Sequence, residues 1–416
     1  MPSDWIVSLD WSDDCDVVQN HYAETCGTKI RLRHFDELKH CIPQTSSVWI
    51  DAGIDALHRS GNMSKGWKTY IEGFENGQHV LDHGLAATFE RAKLVAFTKS
   101  VMDACAAHDP AWITIPQVPL TSSTDGSRNK VNKAFAQIVG EWRDSSQYGG
   151  RLMLPLILYG TDVLDKMGNW KPRLKDLITR LQICSANGVW VVCSDLKDED
   201  GSGPNERTRL PGLAALHEEL HDRLPGNNIK VVAGPYWAMA LILWARGLVD
   251  HPLVDLGAGY RYTIPGSPGG RTGKIRIAIP SLRRRVVAVP QLAGWLQAAA
   301  KKLRTHASSV ESSSTPSPRI GSAAIEFRSA ADEFERLSKD LSQLALDADT
   351  ARQQVSRFYR SWLDAMSQSS SKTRSLSLRQ DFSAADLVGS IVGTLPKGTK
   401  PRHAGRLARQ YMQSCV

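Results

Sequence analysis

The chain has 416 residues and a net charge of +8, with 42% hydrophobic and 23% charged residues. This composition is typical of a globular protein and argues against an intrinsically disordered chain. No apolar run approaches the roughly 20 residues that span a bilayer, so we expect no membrane partner. Because one compact core rarely fills this length, we expect a body of about 250 to 300 residues and an additional region.

The N-terminus and the cysteines bear on the compartment. The opening sequence MPSDWIVSLDWSDDCD is acidic and has no basic region before an apolar stretch, unlike an export signal. The seven cysteines are scattered, without a Cys-x-x-Cys spacing that could hold a metal or carry dithiol chemistry. We therefore expect a cytoplasmic protein with reduced thiols, no cofactor and no metal site.

Short apolar runs rich in β-branched residues recur along the first 280 residues, with helical patterns at 129–143, 173–185 and 213–223. This alternation predicts parallel strands joined by crossover helices. About eight strands fit a closed (β/α)8 TIM-barrel-like body better than an open doubly wound sheet, because no glycine-rich phosphate turn follows the first strand. The runs are IVSLDW, KIRLRHF, SVWIDAG, WITIPQVPL, RLMLPLILYG, GVWVVCSDL, IKVVAGPYW, LVDLGAGY and KIRIAIP.

The predicted barrel domain, residues 1–305, ends with the helix VPQLAGWLQAAAKKL and is followed by a Ser/Pro-rich linker at 306–320. In the next segment, 321–367, apolar residues at 327–365 alternate by three and four, the a/d pattern of a coiled coil. A continuous helix could not bury this seam against itself, so we expect a partner helix in another copy, another protein or the barrel. A hairpin folding near 347–350 is the alternative. Residues 368–416 are predicted to form a basic, helical C-terminal segment.

Polar residues follow several predicted strands, where a barrel of this type carries its reactive side chains. Three or more carboxylates at one mouth would supply a nucleophile and a general base. A single aspartate there can equally cap the next helix by accepting its free N–H groups, so only convergence indicates catalysis. The residues are Asp10, Asp51, Gln117, Tyr159, Asp195, Tyr236 and Asp255, followed by Gly257, Gly259, Tyr260 and Arg261.

Two segments resemble the tRNA-guanine transglycosylase superfamily. WIDAGIDALHRSG is similar to that family's strand-end Asp-Ser-Gly-Gly segment, and VVAGPYWAMALILWARGLVDHPLVDLGAGYRY is similar to its last barrel repeat. The resemblance spans roughly residues 45 to 280 by pattern. It implies a glycosyltransferase that releases a purine from a nucleoside and adds another base. Asp255 would be the nucleophile, Asp51 the acid/base group, and Gln117 and Asp195 would read the purine.

The chain departs from this family at three points. Ala52 stands where the family has serine, Ile54 interrupts the double glycine, and the family's zinc cluster of three cysteines and a histidine has no counterpart. We assign five further strand-end residues to substrate binding. They are Asp10, Tyr236, Gly257, Tyr260 and Arg261.

A peptidase-like motif occurs at residues 217–221, which read H-E-E-L-H. On a helix this spacing places His217 and His221 on one face, with Glu218 ready to activate zinc-bound water. The surroundings supply no third ligand at a familiar spacing. Leucines at three- and four-residue spacing instead predict an amphipathic crossover helix with its histidines on or beside the wet face. A zinc metallopeptidase is therefore our third hypothesis.

Two basic stretches predict contact with a nucleic-acid backbone, DNA or RNA, and a solvated basic face is the alternative. The first hypothesis for function is thus a nucleic-acid-directed base-exchange enzyme. The second is a non-catalytic barrel that binds nucleic acid or a protein partner within a larger assembly. The predicted backbone-contacting residues are Arg283, Arg284, Arg285, Lys397, Lys400, Arg402, Arg406 and Arg409.

Overall fold

The structure is a computed structural model. It describes residues 5–10, 14–21, 26–83, 90–121, 126–159, 168, 170–194, 196, 206–224, 228–236, 239–255, 262, 264, 275–312, 318–343, 358 and 370–403. The chain divides into two compact units, residues 1–271 and residues 272–416. The division falls before the segment KIRIAIP, because that strand pairs within a sheet of the second unit.

Eight parallel strands close into a barrel in chain order, with the last strand paired to the first. The predicted (β/α)8 body is therefore confirmed. The strands are β1 (Ile6–Leu9), β2 (Gly27–Arg31), β3 (Ser47–Asp51), β4 (Trp112–Thr114), β5 (Arg151–Leu158), β6 (Gly188–Cys193), β7 (Lys230–Ala233) and β8 (His251–Asp255).

Helices connect the barrel strands. The predicted helices at 129–143, 173–185 and 213–223 correspond to α6 (Gly126–Ser146), α7 (Lys171–Cys184) and α8 (Glu206–Arg223). No helix in the described part of the chain combines the length and the apolar character needed to cross a membrane. The helices are α1 (Cys15–His21), α2 (Phe35–Leu38), α3 (Lys65–Glu72), α4 (Gly77–His83), α5 (Arg91–Ala106), α6 (Gly126–Ser146), α7 (Lys171–Cys184), α8 (Glu206–Arg223) and α9 (Met239–Ala245).

The barrel interior is filled by large apolar side chains. Trp49 of β3, Trp190 of β6 and Leu253 of β8 belong to one buried cluster. The cluster contains residues of six different strands, and such residues can meet only inside the barrel. Side chains alternate between the two faces of a strand. Asp51 and Asp255, two positions after Trp49 and Leu253, therefore share the inward direction and lie at the carboxyl end of the barrel.

One cysteine pair differs from the sequence prediction. Cys15 and Cys41 form a disulfide, contrary to the expectation of reduced thiols throughout. The pairing is possible because α1 and a 3-10 helix, Lys39–Cys41, bring the two Cα atoms to 5.0 Å, within the range of disulfides. The cysteines of the described region that lie outside this disulfide are Cys26, Cys105, Cys184 and Cys193.

The second unit contains a small antiparallel sheet and three helices. The strands are β9 (Arg276–Ile279), β10 (Arg284–Val287) and β11 (Arg402–His403), with β10 in the centre. The helices are α10 (Gln291–Glu311), α11 (Pro318–Gln343) and α12 (Ser371–Val392). Residues 306–311 of the predicted linker continue α10, and residues 318–320 begin α11.

The heptad seam packs within the chain as far as it is described. Phe327, Phe334 and Leu337 of α11 are buried in one cluster with Leu296 and Leu303 of α10. The two helices are antiparallel, with Arg304 of α10 bonded to Asp332 and Glu335 of α11. The described part of the seam therefore has its partner in α10. Positions beyond Gln343 lie outside the described residues, except Phe358, which is buried.

Candidate functional site

Charged side chains collect at the carboxyl ends of four neighbouring strands, β8, β1, β2 and β3. The strand register places Asp255 beside Ser8, Ser8 beside Lys29, and Arg31 beside Asp51. The mouth of the barrel over these strands is therefore polar, although the layer beneath it is apolar.

Lys29 and Asp51 form a buried ion pair inside the barrel. The Lys29 Nζ lies 2.7 Å from Asp51 Oδ2, and the two side chains are 2% and 7% exposed. The same ammonium lies 4.7 Å from the ring centroid of Trp190 across the barrel, which adds a cation–π contact. Asp51 Oδ1 accepts the backbone N–H of Gly53 at 3.0 Å, so both carboxylate oxygens have partners.

Arg31 is the centre of the charged mouth. Its Nε lies 3.3 Å from Asp10 Oδ1. Burial works against the charge of Arg31, but the pKa of the guanidinium is raised because Asp10, Asp55, Asp51 and Asp255 all act on it. Four aspartates therefore act on one guanidinium, Asp10 with the largest influence and Asp255 with the smallest.

Asp10 and Asp55 respond to this environment in opposite ways. Burial disfavours the Asp10 carboxylate, but Arg31 and Lys29 outweigh that effect and lower its pKa. Burial and then the charge of Asp51 raise the pKa of Asp55 to about 7. Carboxyl groups with separated proton affinities in one site can act as proton donor and charged partner respectively.

Asp55 is not among the site residues predicted from the sequence. The residue lies in the first turn of a 3-10 helix, Ile54–Asn62, and is 6% exposed. Its Oδ1 is buried without a hydrogen-bond partner among the described residues. The sequence feature that could have indicated Asp55 is its spacing of four residues from Asp51 within WIDAGID. A carboxylate at that position is equally typical of the first turn of a helix, so the spacing alone does not predict a site residue.

Beside this aspartate pair lies a small cavity. Its volume is about 10 Å³, which is enough for about one water molecule. A larger ligand would have to bind outside this enclosed space. The polar lining consists of Asp51, Asp55, Thr114 and Gln117, and Trp190 contributes an aromatic wall.

Gln117 lines the cavity but its amide is largely occupied. Its Nε2 donates to the carbonyls of Pro116 at 2.6 Å and Asn132 at 3.1 Å, and its Oε1 accepts a bond from Arg180. An amide has two N–H donors and two acceptor lone pairs. A ligand could therefore contact Gln117 only as a donor to its oxygen.

Tyr236 and His217 pack together away from the cavity lining. The Tyr236 hydroxyl donates to the Val191 carbonyl and lies 3.4 Å from His217 Nε2. His217 is fully buried and its Nδ1 donates to the Leu213 carbonyl at 2.8 Å, whereas His221 is exposed. The prediction that both histidines lie on or beside the wet face is thus wrong for His217, because its ring closes the contact between α8 and Tyr236.

The metallopeptidase hypothesis finds no support in this geometry. A buried imidazole and an exposed one do not face a common ligand position. Within the described ranges, the group of His, Cys, Asp and Glu side chains close enough to hold a metal lies elsewhere, at Cys15, His40 and Cys41.

We expect stability to fall in mild acid because of His217. Burial lowers the pKa of His217 to about 4, against an ordinary value of 6.5. Between these values the unfolded chain binds a proton that the native protein does not, so stability is lost as the pH falls. Urea unfolding measures the free energy of unfolding at pH 7.5 and at pH 5. From the higher to the lower pH this free energy should fall by about 2 kcal/mol less in His217→Gln than in the wild type. His221→Gln, the exposed control, should match the wild type; equal losses in all three proteins would contradict this assignment.

The predicted basic run is largely engaged within the second unit. Arg283 pairs with Asp381 and lies over the ring of Phe358. Arg285 is 2% exposed, and burial lowers the pKa of the half-buried Arg284. Lys397 and Lys400 are exposed. Arg402 belongs to β11, opposite Arg285.

The remaining predicted residues are distributed as follows. Tyr159 is half-buried beyond the end of β5, with its ring 4.6 Å from that of His58. Seven predicted positions lie outside the described residues. They are Asp195, Gly257, Gly259, Tyr260, Arg261, Arg406 and Arg409.

Fold and site together define a class of protein: a (β/α)8 barrel whose carboxyl-end mouth holds two basic side chains among four aspartates. Comparisons with protein-family models, curated proteins and solved structures found no match for the chain.

Proposed function

We propose that the barrel is a glycosyltransferase that exchanges a purine base in nucleic acid, with Asp255 as nucleophile. The observation that supports it most is the convergence of Asp10, Asp51, Asp55 and Asp255 on Arg31 at the barrel mouth. Isolated strand-end aspartates are usually caps. Several at one mouth, with separated pKa values, are the arrangement that carboxylate-based glycosyl transfer requires.

The three aspartates nearest to the chemistry have different roles in this proposal. Asp255 is half-buried at the end of β8, so it is the carboxylate that a sugar could approach. Asp51 is bound on both oxygens by Lys29 and Gly53. Asp55 has an oxygen without a hydrogen-bond partner among the described residues and a pKa of about 7. The acid/base role that the family resemblance implies for Asp51 is therefore better suited to Asp55.

The reaction then proceeds in two balanced steps. The Asp255 carboxylate attacks the anomeric carbon, the bond from that carbon to the purine nitrogen breaks, and protonated Asp55 gives its proton to the departing purine. In the second step an incoming base attacks the same carbon, the ester bond to Asp255 breaks, and Asp55 takes up the proton that the incoming nitrogen loses. Burial and the charge of Asp51 raise the pKa of Asp55, and the charges of Arg31 and Lys29 lower it.

A nucleic-acid substrate is supported by charge. The net charge of +8 and the exposed Lys397 and Lys400 favour a polyanion, because bound phosphates release counterions. The arginines of the run 283–285 are buried or bonded within the second unit, so they contribute less to polyanion binding than the sequence suggests. The class of nucleic acid is therefore left to the experiment.

The test is exchange of a labelled purine into DNA and RNA oligonucleotides by the full chain. We expect label to enter one of the two, at a rate unchanged in Asp36→Asn, a control that removes an exposed carboxylate of α2. Binding of nucleic acid without exchange or base release would instead support the second hypothesis, a non-catalytic binding barrel. The absence of both binding and exchange would reject both nucleic-acid roles and would leave only the protein-binding form of the second hypothesis.

We expect Asp55→Asn to flatten the dependence of the free energy of unfolding on pH in the range below about 7. The pKa of Asp55 is raised from 3.8 to about 7, so the native protein holds a proton that the unfolded chain has lost, and stability falls as the pH rises through 7. When the pH is raised from about 5 to about 8.5, the free energy of unfolding measured in urea should fall by roughly 2–3 kcal/mol more in the wild type than in the variant. Parallel curves for the two proteins would mean that Asp55 is ionised throughout.

A further inference from the structure

The corner between α1 and the segment before β3 holds the two sulfurs of the Cys15–Cys41 disulfide and an imidazole. Cys15 is the first residue of α1, and His40 and Cys41 end the 3-10 helix Lys39–Cys41. His40 Nε2 lies 3.4 Å from Cys41 Sγ, and one ligand atom from each of the three residues lies within 4.8 Å of the other two. This corner belongs entirely to the first unit.

The donor set is that of a zinc site. Thiolate sulfur and imidazole nitrogen are the ligands that Zn²⁺ prefers, and two cysteines with one histidine leave the fourth tetrahedral position open to water. Bonds of about 2.0–2.3 Å hold tetrahedral ligand atoms roughly 3.5–3.8 Å apart. The His40 Nε2 to Cys41 Sγ distance of 3.4 Å is already close to this, whereas the two sulfurs, bonded in the disulfide, must separate.

Burial and hydrogen bonding are consistent with such a site. Cys41 is buried, Cys15 is half-buried and His40 is exposed, which leaves one side of the cluster open for a water ligand. Gln19 of α1 donates its side-chain amide to the His40 carbonyl at 3.2 Å. This bond joins the two elements without using the sulfurs, so the corner has a connection that remains when the disulfide is reduced.

We propose that reduced Cys15 and Cys41, together with His40, bind one Zn²⁺, and that the disulfide and the zinc-bound dithiolate are alternative states of this corner. Binding releases the two thiol protons to solvent. On oxidation, a low-molecular-weight disulfide takes two electrons from the dithiolate and two protons from solvent and leaves as two thiols, while the Cys15–Cys41 bond forms and the ion is released. The inference is independent of the proposed base exchange.

The test uses the full chain, reduced with a phosphine that does not bind metal and titrated with Co²⁺ and then with Zn²⁺. We expect one Co²⁺ per chain with a thiolate-to-cobalt charge-transfer band, and displacement of that band by Zn²⁺. The oxidised chain should show no such band and two fewer reactive thiols under denaturing conditions. His40→Ala should weaken Co²⁺ binding by at least about tenfold.

Two controls make the result specific. Cys184→Ser removes a buried thiol elsewhere in the barrel, and His221→Ala removes the exposed histidine of the H-E-E-L-H motif; both should keep the band. Because Cys41→Ser could disturb folding, alkylation of the reduced wild type provides a second readout, in which Zn²⁺ should protect Cys15 and Cys41. Absence of the band in the reduced wild type, or protection of other cysteines instead, would overturn the proposal.

Discussion

Replacement of Lys29 by methionine is expected to lower the free energy of unfolding by about 3–5 kcal/mol. Lys29 and Asp51 are 2% and 7% exposed and 2.7 Å apart, so removal of the ammonium leaves a buried carboxylate without its counter-ion. The Lys29 contact with Trp190 would be lost as well. Urea unfolding followed by tryptophan fluorescence measures the change.

The chain offers a matched control for this prediction. Lys230 pairs with Asp250 at 3.0 Å, but these side chains are 48% and 35% exposed, so Lys230→Met should cost less than about 1 kcal/mol. The double variant Lys29→Met with Asp51→Leu should recover much of the stability, because neither charge is then buried alone. If Lys29→Met were as mild as Lys230→Met, the pair inside the barrel would not be desolvated.

Replacement of Asp255 by asparagine is expected to lower the rate of base exchange on the order of 10³-fold or more, because an amide cannot form the glycosyl ester. The fold should be unaffected, since Asp255 is half-buried at the end of β8 and asparagine has nearly the same shape. The measurement is the initial rate of labelled-purine incorporation, with urea unfolding run in parallel.

The exchange rate of Asp255→Asn is compared with the rates of two other variants. Asp55→Asn should also slow exchange, since it removes the proposed proton donor, but asparagine there leaves the nucleophile intact. Asp36→Asn should leave the rate unchanged, as in the exchange assay. An exchange rate for Asp255→Asn within tenfold of the wild type would remove Asp255 as the nucleophile.

The barrel could be predicted from sequence because strand and helix patterns alternate in short repeats. Helices on the outside and packed side chains on the inside bury both faces of a parallel barrel strand, and the runs from IVSLDW to LVDLGAGY, except KIRLRHF, are mostly apolar on both faces. The segment KIRIAIP has the same local pattern, yet it pairs antiparallel with β10. Local sequence does not distinguish these partners, because the pairing is decided by contacts distant along the chain.

The site could be predicted only in part. Asp51 and Asp255 follow apolar strands, and their position at one mouth follows from the parallel order of the barrel. Lys29 and Arg31 were missed because a strand with alternating basic residues suggests a solvent-facing side. Barrel closure instead directs both inward, where they require Asp51 and Asp10 as partners.

His217 and the heptad seam illustrate a second limit. A leucine stripe defines the buried face of α8, but the width of that face depends on what packs against it, and Tyr236 extends the contact to His217. In α11 the apolar spacing correctly predicts a helix with a buried seam. The spacing does not specify the partner, and α10 provides it for the described part because the two helices follow each other in the chain.

The measurement that tests the central claim most directly is the capture of a covalent intermediate. Wild-type protein is mixed with the oligonucleotide that supports exchange, without added free base, and is then denatured and digested. Mass spectrometry should find a glycosyl ester on Asp255, and the Asp255→Asn variant should show none. Base exchange without an adduct on Asp255, or an adduct on another residue, would contradict the account.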